Sequence, residues 1–421
     1  MVKVKSLKVA FFHPDLGIGG AERLVLDLAI ALSDQGMEVS FITNHFNKNH
    51  AFEELKADKY PVTVIGDWIP RSIFGYFQAL CAYIRMMYLA LIYVIFFKYV
   101  DESDAFIVDQ IPMAVPFLKK FTNKRVIYYC HHPDLLGSTP GGVLKRLYRK
   151  PIDFIERKGT EMSDVILVNS NYTSEVFHRT FSGVKKDLKI VYPTISNLFL
   201  NNLKKIKKKS IQELNDLLKT NMVDNSTLFL SINRFHPAKK LELSIEGLYN
   251  LKKNTQKPFH LIIAGGYDPN STINKIYFNK LMELTQKLRL ESNITFLKSP
   301  SDDLKSKLLV SCDCLLYTPI NEHFGIVPLE AMAAGKVVIA CNSGGPKETV
   351  ENNVTGYLCE ATDEGFSGAM LKVLGDDAKR TEMGREGLNR LQKKFGWEKF
   401  CSDVMGVVMD VVCGDNNKKN L

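Results

Sequence analysis

The sequence has no C-x-x-C pair. Its eight cysteines lie scattered at 81, 130, 312, 314, 341, 359, 401 and 413, which excludes the usual zinc and redox spacings. Most sit inside apolar runs such as CDCLLYT and VVIACNS, so they read as buried reduced thiols in a reducing compartment. A D-x-D and a His-rich ligand set are also missing, so no metal site is expected. The opening MVKVKSLKVAFF is too short for a signal peptide and runs straight into a strand. The sequons beginning at Asn171, Asn225, Asn270, Asn293 and Asn353 therefore read as chance matches. No helix-turn-helix, zinc-finger or RNA-binding signature is present, and no nucleic-acid partner is expected. An uninterrupted apolar run of the roughly 20 residues that span a bilayer is absent as well. The nearest candidate, ALCAYIRMMYLALIYVIFF over 79–97, is broken by Arg85. It fits a buried core helix, a membrane-surface helix or a spanning helix carrying that charge. Its aromatics and its lack of a polar face give the membrane-contact reading weight.

What is present is the composition of a folded protein: 45% hydrophobic and 24% charged among 421 residues. That length exceeds one ordinary core and predicts two domains. The net charge of +9 serves solubility or attracts something anionic, such as nucleotide phosphates or a membrane surface.

The first half alternates strand-like runs (LKVAFF, MEVSFIT, VTVIGDW, AFIVDQ, RVIYYCHH, DVILVNS) with helical patterns. Ala21, Leu24, Val25, Leu28, Ala29 and Leu32 fall on one helical face that Gly36 ends. The rhythm restarts with STLFLSINRF, FHLIIAGG, NITFLKS, CDCLLYT, GKVVIACNS and TGYLCE. Such alternation predicts parallel sheets covered by helices, in two Rossmann-like domains facing a cleft. The expected boundaries are 1–200 for an N-terminal domain, 201–227 for a lysine-rich linker with one helix, and 228–395 for a C-terminal domain. A helix and polar tail over 396–421 are expected to pack on the body of the protein.

Two glycine-bearing turns carry candidate chemistry. HPDLGIGGAERL, residues 13–24, follows the first strand but places Glu22 where a G-x-G-x-x-G fingerprint has its third glycine. The loop is a degenerate dinucleotide site, a different phosphate site, or only a tight turn. The second segment, NEHFGIVPLEAMAAGKVVIACNSGGPKETV over 321–350, sets Glu322 and Glu330 eight positions apart. A helix is expected to begin near Pro328, with His323, Phe324 and Gly325 placed where free backbone N–H groups bind an anion. The turn SGGPKE is expected to offer N–H groups to the same ligand. A carboxylate pair also suits glycoside hydrolysis, but flanking an anion-binding loop it better fits a sugar on one side and a nucleotide on the other. Glu348 reads as helix-start capping.

With HFG, PLEA and SGGP around it, the segment resembles the E-x7-E region of the retaining GT-B glycosyltransferases of family 4. HPDLGIGGAERL, CAYIRMMYLAL, YCHHPDLL, LYRKPIDFIE, LVNSNYT, LSINRF, AGGY, LYTPINEHFGIVPLEAM and NSGGP are similar to its dolichol-pathway mannosyltransferases, and these blocks span residue 8 to about 360. The resemblance implies GDP-mannose as donor, no cofactor and no obligatory metal. It implies a diphosphodolichol-linked Man1GlcNAc2 acceptor that receives an α-1,3 and then an α-1,6 mannose at the cytosolic face of the endoplasmic reticulum membrane. Other dolichol-pathway mannosyltransferases become candidate partners. Carried over by residue, Glu330 binds the ribose and Glu322 lies by the donor sugar hydroxyls. Arg234 and Lys239 or Lys240 grip the diphosphate, Gly19 and Gly20 approach the phosphates and sugar, and His131 sits near the sugar. Trp68 and Arg71 are candidates for acceptor contact, and His132 leaves open which ring faces the site. An enzyme with a polyprenyl-anchored acceptor meets a membrane, so 79–97 becomes a contact helix inserted shallowly, with Arg85 and Lys98 near headgroups.

Overall fold

The computed structural model describes residues 6–97, 102–137 and 142–418, the side chains only as far as residue 413. It divides into two compact units, Met1–Pro193 with Glu398–Leu421, and Thr194–Trp397. Both are open parallel sheets with helices between the strands.

The first unit holds strands β1 (Lys8–His13), β2 (Glu38–Thr43), β3 (Val62–Val64), β4 (Ala105–Asp109), β5 (Arg125–Cys130), β6 (Val165–Val168) and β7 (Leu188–Ile190). Their order is β3-β2-β1-β4-β5-β6-β7, all parallel. The order reverses between β1 and β4, and ligands of such sheets bind at that switch point beyond the strands' carboxyl ends. The register pairs Phe12 with Val108, so His13 and Asp109 leave the sheet side by side. The strands are apolar on both faces because helices cover both. Phe12, for instance, packs edge-on against Tyr93 and Phe106 at 5.0 and 5.6 Å.

Helix α1 (Gly20–Asp34) buries the predicted stripe Leu24, Val25, Leu28, Ala29 and Leu32, with Ala21 half-buried at its start. Gly36, with φ of 86°, turns the chain after it. Helix α2 (Gln78–Ile92), continued by a π-helical turn Tyr93–Phe97, is long and apolar enough to cross a membrane by length and composition. Met86, Leu89 and Ala90 are fully buried against the sheet. Each large apolar side chain so placed stabilises the unit by ~1.5–3 kcal/mol, which favours the core-helix reading for this face. Arg85 is not at a headgroup level: it is buried, donates to the Asn44 carbonyl at 3.3 Å and lies 3.9 Å from Asp67. Lys98 lies outside the described residues. Helix α3 (Val143–Met162) follows β5.

The second unit begins with helices α4 (Asn197–Lys205) and α5 (Ile211–Leu218), the latter opened by a capping box between Ser210 and Glu213. The stretch expected as a linker with one helix is therefore folded structure of this unit. Strands β8 (Thr227–Ile232), β9 (Phe259–Gly265), β10 (Ile294–Lys298), β11 (Cys314–Tyr317), β12 (Val337–Cys341) and β13 (Gly356–Cys359) follow. Their order is β10-β9-β8-β11-β12-β13, with its switch point between β8 and β11. Helix α6 (Ile326–Ala333) comes after β11. The last helix, Trp397–Lys418, buries Phe400, Val404, Val408 and Val411, and from Glu398 onward it belongs to the first unit.

Candidate functional site

At the switch point of the first sheet, Asp109 is fully buried between two imidazoles. His13 Nδ1 lies 2.9 Å from its Oδ2 and His131 Nε2 lies 2.8 Å from its Oδ1. Burial disfavours the charge on His13, but the hydrogen bond to Asp109 and the nearby Glu22 carboxylate outweigh it. They raise the His13 pKa to about 9. Asp109 is held below the usual carboxylate range, because attraction to His131 and the hydrogen bonds from both rings exceed its burial cost. With Nε2 committed to Asp109, the other ring nitrogen of His131 is left for a ligand. His132 instead sets its Nδ1 3.2 Å from the Pro133 carbonyl oxygen, so His131 is the ring at the switch point.

Gly19 caps α1 with extended backbone, and a Cβ there would meet Glu22 Oε2 at 2.2 Å. That neighbour is the far end of a flexible side chain, so a larger residue at 19 would displace Glu22 from beside His13 rather than break the turn. A Cβ on Gly20 would meet nothing within 4 Å, which leaves the start of α1 open for close approach. Glu22 lies 3.8 Å from His13 Nε2. Trp68 is 75% exposed and Arg71 pairs with Asp15 at 3.0 Å.

In the second unit the chain leaves β8 at Asn233 and passes to Arg234. A Cβ on Gly265 would fall 1.7 Å from the Asn233 carbonyl oxygen, so only glycine lets β9 end beside this turn. The Arg234 stem runs along Gly266; its guanidinium is exposed and has no ion-pair partner among the described residues. Lys239 closes a short 3-10 turn, Pro237–Lys239, whose last carbonyl accepts from the Thr318 hydroxyl at 2.7 Å. Its ammonium pairs with Glu322. Lys240, at φ of 50°, turns away and lies 4.0 Å from Glu242. Of the two lysines, Lys239 is thus the one beside the glutamate motif.

The motif itself is two interlocked turns. The Gly345 N–H donates to the Glu322 carbonyl at 2.8 Å. A Cβ on Gly344 would stand 2.4 Å from that same oxygen, and one on Gly345 would stand 2.4 Å from Phe324 Cα. The expectation that this turn offers its N–H groups to a ligand is corrected at Gly345, whose N–H holds the loop instead. Gly325, at φ of 82°, caps α6, which starts at Ile326, two residues before Pro328. Phe324 turns its ring inward, 5.9 Å from Phe395, so only its backbone is left for an anion. His323 is half-buried beside it.

Glu330 is nine-tenths buried in α6. Its Oε1 accepts from Lys305 at 2.7 Å, while Oε2 is buried with no hydrogen-bond partner. A buried carboxylate oxygen left open is costly unless a ligand donor fills it. Asp109, Lys305 and Tyr317, whose hydroxyl contacts Glu322, were not among the residues singled out from the sequence. Asp109 alone had a signal, as a carboxylate at the end of a buried strand. Among the described residues no three His, Cys, Asp or Glu side chains are grouped to hold a metal ion.

Two Rossmann-type parallel sheets, each with a glycine-bearing turn at its switch point, are the architecture of a GT-B glycosyltransferase. Family models for "Glycosyltransferase Family 4" and "Glycosyl transferases group 1" match residues 18–196 and 215–390. Sucrose-phosphate synthase from Thermosynechococcus elongatus shares the fold at a TM-score of 0.74 and 18% identity, covering 97% of this chain and 100% of that one. WaaG, a glycosyltransferase of lipopolysaccharide biosynthesis, aligns at 0.67 and 16%, covering 96% and 99%. Alpha-1,3/1,6-mannosyltransferase ALG2 of Homo sapiens is 42% identical over 94% of each chain. That of Dictyostelium discoideum is 38% identical over 96% of this chain and 98% of its own. The chain belongs to this alpha-1,3/1,6-mannosyltransferase family.

Proposed function

We propose that the protein moves mannose from GDP-mannose to Man1GlcNAc2-diphosphodolichol, forming an α-1,3 and then an α-1,6 linkage without an obligatory metal. The work takes place at the cytosolic face of the endoplasmic reticulum membrane. The observation that carries the donor half is the arrangement on the second sheet: Arg234 with no ion-pair partner among the described residues, Lys239 beside Glu322, and Glu330 with an open buried oxygen. A nucleoside diphosphate sugar matches these in turn, its ribose hydroxyl donating to Glu330 Oε2 and its diphosphate meeting the two cations.

Transfer breaks the bond between the anomeric carbon and the diphosphate oxygen and forms one to the acceptor hydroxyl oxygen. Negative charge grows on the departing diphosphate while positive charge grows on the sugar ring. Arg234 and Lys239 are fixed cations for the first of these, and each is expected to supply ~2.7–4 kcal/mol of transition-state stabilisation, as a preorganised donor does. Glu322 holds the Lys239 ammonium in place before the donor arrives. The departing phosphate oxygen takes the acceptor proton, so attack proceeds on the face that the leaving group vacates. His131, oriented by Asp109, offers a hydrogen-bonding ring at the switch point of the first sheet.

The test incubates the purified protein with lipid-linked Man1GlcNAc2, a chelator, and either GDP-mannose or UDP-sugars. Products carrying one and two added mannoses from GDP-mannose alone are expected. Absence of both, or equal use of a UDP-sugar, contradicts the reading.

A further inference from the structure

The helix that looked most membrane-like in sequence buries much of its surface, yet the first unit exposes a different apolar patch. Between β3 and α2 the chain forms a two-residue hairpin. Ile73 and Tyr76 exchange backbone hydrogen bonds at 2.9 and 2.8 Å. The turn residues Phe74 and Gly75 have φ of 49° and 78°, and Phe77 follows at 59°. Such primed turns ordinarily carry Asn-Gly or Gly-Gly. A bulky residue in the left-handed region is strained, and such strain persists where function retains it. Phe74 is 95% exposed, so no packing inside the protein offsets that strain.

The start of α3 stands beside this hairpin. Phe77 packs edge-on against Tyr148 at 5.4 Å, and the Tyr148 hydroxyl accepts from the Leu80 N–H at 3.1 Å. On α3, Val143, Leu144 and Leu147 are all more than 60% exposed. Large apolar residues gathered on a surface mark an interaction site rather than chance exposure. Charge selects the partner. No acidic residue occurs between Asp67 and Asp101 or between Asp134 and Asp153, whereas Lys145, Arg146 and Lys150 interleave with the apolar residues of α3. Aromatic and leucine side chains among basic ones are the pattern of a segment lying in a headgroup layer. The patch is also tied to the His131 loop. Glu156 of α3 accepts from the Asp134 and Leu135 N–H groups at 2.6 and 3.0 Å, and Arg149 pairs with Asp134 at 3.0 Å.

We propose that the hairpin 73–77 and the start of α3 form one docking surface for an anionic lipid bilayer, with Phe74, Leu144 and Leu147 inserted among the acyl chains. The inference rests on the proposed lipid-borne acceptor only for its purpose; its chemistry stands on the patch. The experiment is flotation of the full chain with phosphatidylcholine vesicles, with and without phosphatidylserine. The parent is expected to float with the anionic vesicles and to be released by high salt. A Phe74→Ser/Leu144→Ser/Leu147→Ser variant, folded by circular dichroism, is expected to bind them at least about tenfold more weakly. Phe96→Ser, at the far end of the apolar helix, is expected to bind like the parent.

Parent-like flotation of the triple variant, loss with Phe96→Ser instead, or a parent that does not float overturns the proposal. So does a parent dimer that the triple substitution converts to monomer without changing flotation, because the patch then seats a second copy. Mannose transfer to an acceptor on a short soluble chain is measured alongside. It should be equal in parent and triple variant, and its absence from the parent overturns the function reading while leaving the docking result intact.

Discussion

At the scale of single residues the two sheets present complementary chemistry. In the second unit the groups proposed to meet the donor are Arg234, Lys239 and Glu330, whose Oε2 is buried without a hydrogen-bond partner among the described residues. Arg234→Ala removes a guanidinium with no ion-pair partner among the described residues, so thermal stability should stay within about 0.5 kcal/mol of the parent. Glu330→Gln is expected to raise KM for the donor about tenfold, a loss of ~1.4 kcal/mol, with smaller change in kcat; steady-state kinetics at varied donor concentration checks the split. In the first unit the buried His13–Asp109 pair makes stability depend on pH. The folded pKa of His13, about 9, lies above its ordinary 6.5. The stabilisation is therefore complete below pH 6.5 and lost as pH rises through about 9. The size of that loss is ~3 kcal/mol or less. Denaturant midpoints at pH 6, 7.5 and 9 should fall for the parent and flatten for His13→Gln; a parent that gains stability toward pH 9 contradicts the assignment.

At the scale of elements, glycine packing explains why the two turns of the glutamate motif act as one. Gly345→Ala would drive a Cβ to 2.4 Å from Phe324 Cα, and overpacking of this kind costs ~1–3 kcal/mol. Calorimetry should show that loss together with weaker binding of GDP, whereas Gly20→Ala, where a Cβ meets nothing, should leave stability near the parent's. Elements were the most legible part of the sequence. Every strand except β7 was announced by an apolar run between turn residues, and β7, Leu188–Ile190, is short and bears a lysine. Helix α4 was hidden because Asn201, Asn202, Lys204 and Lys205 give it a polar reading, whereas α5 answers to the one helix expected in the lysine-rich stretch, with Ser210 and Glu213 at capping-box spacing. Glu322, Arg234 and the glycines were visible because they sit in turns just after strands, and Glu330 because it stands eight positions on from Glu322. Asp109 showed only as a carboxylate ending a buried strand and Lys305 not at all, because their partners are set by strand register and by a long-range ion pair with Glu330, which spacing along the chain does not encode.

At the scale of the whole molecule, two sheets that share the order of six strands, the first with a seventh at its edge, carry different loops, the first histidines and an exposed apolar hairpin, the second fixed cations. The apolar helix α2 shows what composition cannot separate: Met86, Leu89 and Ala90 face the sheet and Arg85 is satisfied inside, while Ile84, Ile95 and Phe96 remain exposed. The central claim is that protein cations rather than a metal ion stabilise the departing diphosphate. The most direct test is the single-turnover rate of mannose transfer from GDP-mannose, measured in excess EDTA for the parent and for Arg234→Ala. The account predicts an unchanged parent rate and a loss of about a hundredfold or more in the variant. A parent that stops in EDTA and recovers with added divalent ion, or an Arg234→Ala protein that transfers at the parent's rate, would contradict it.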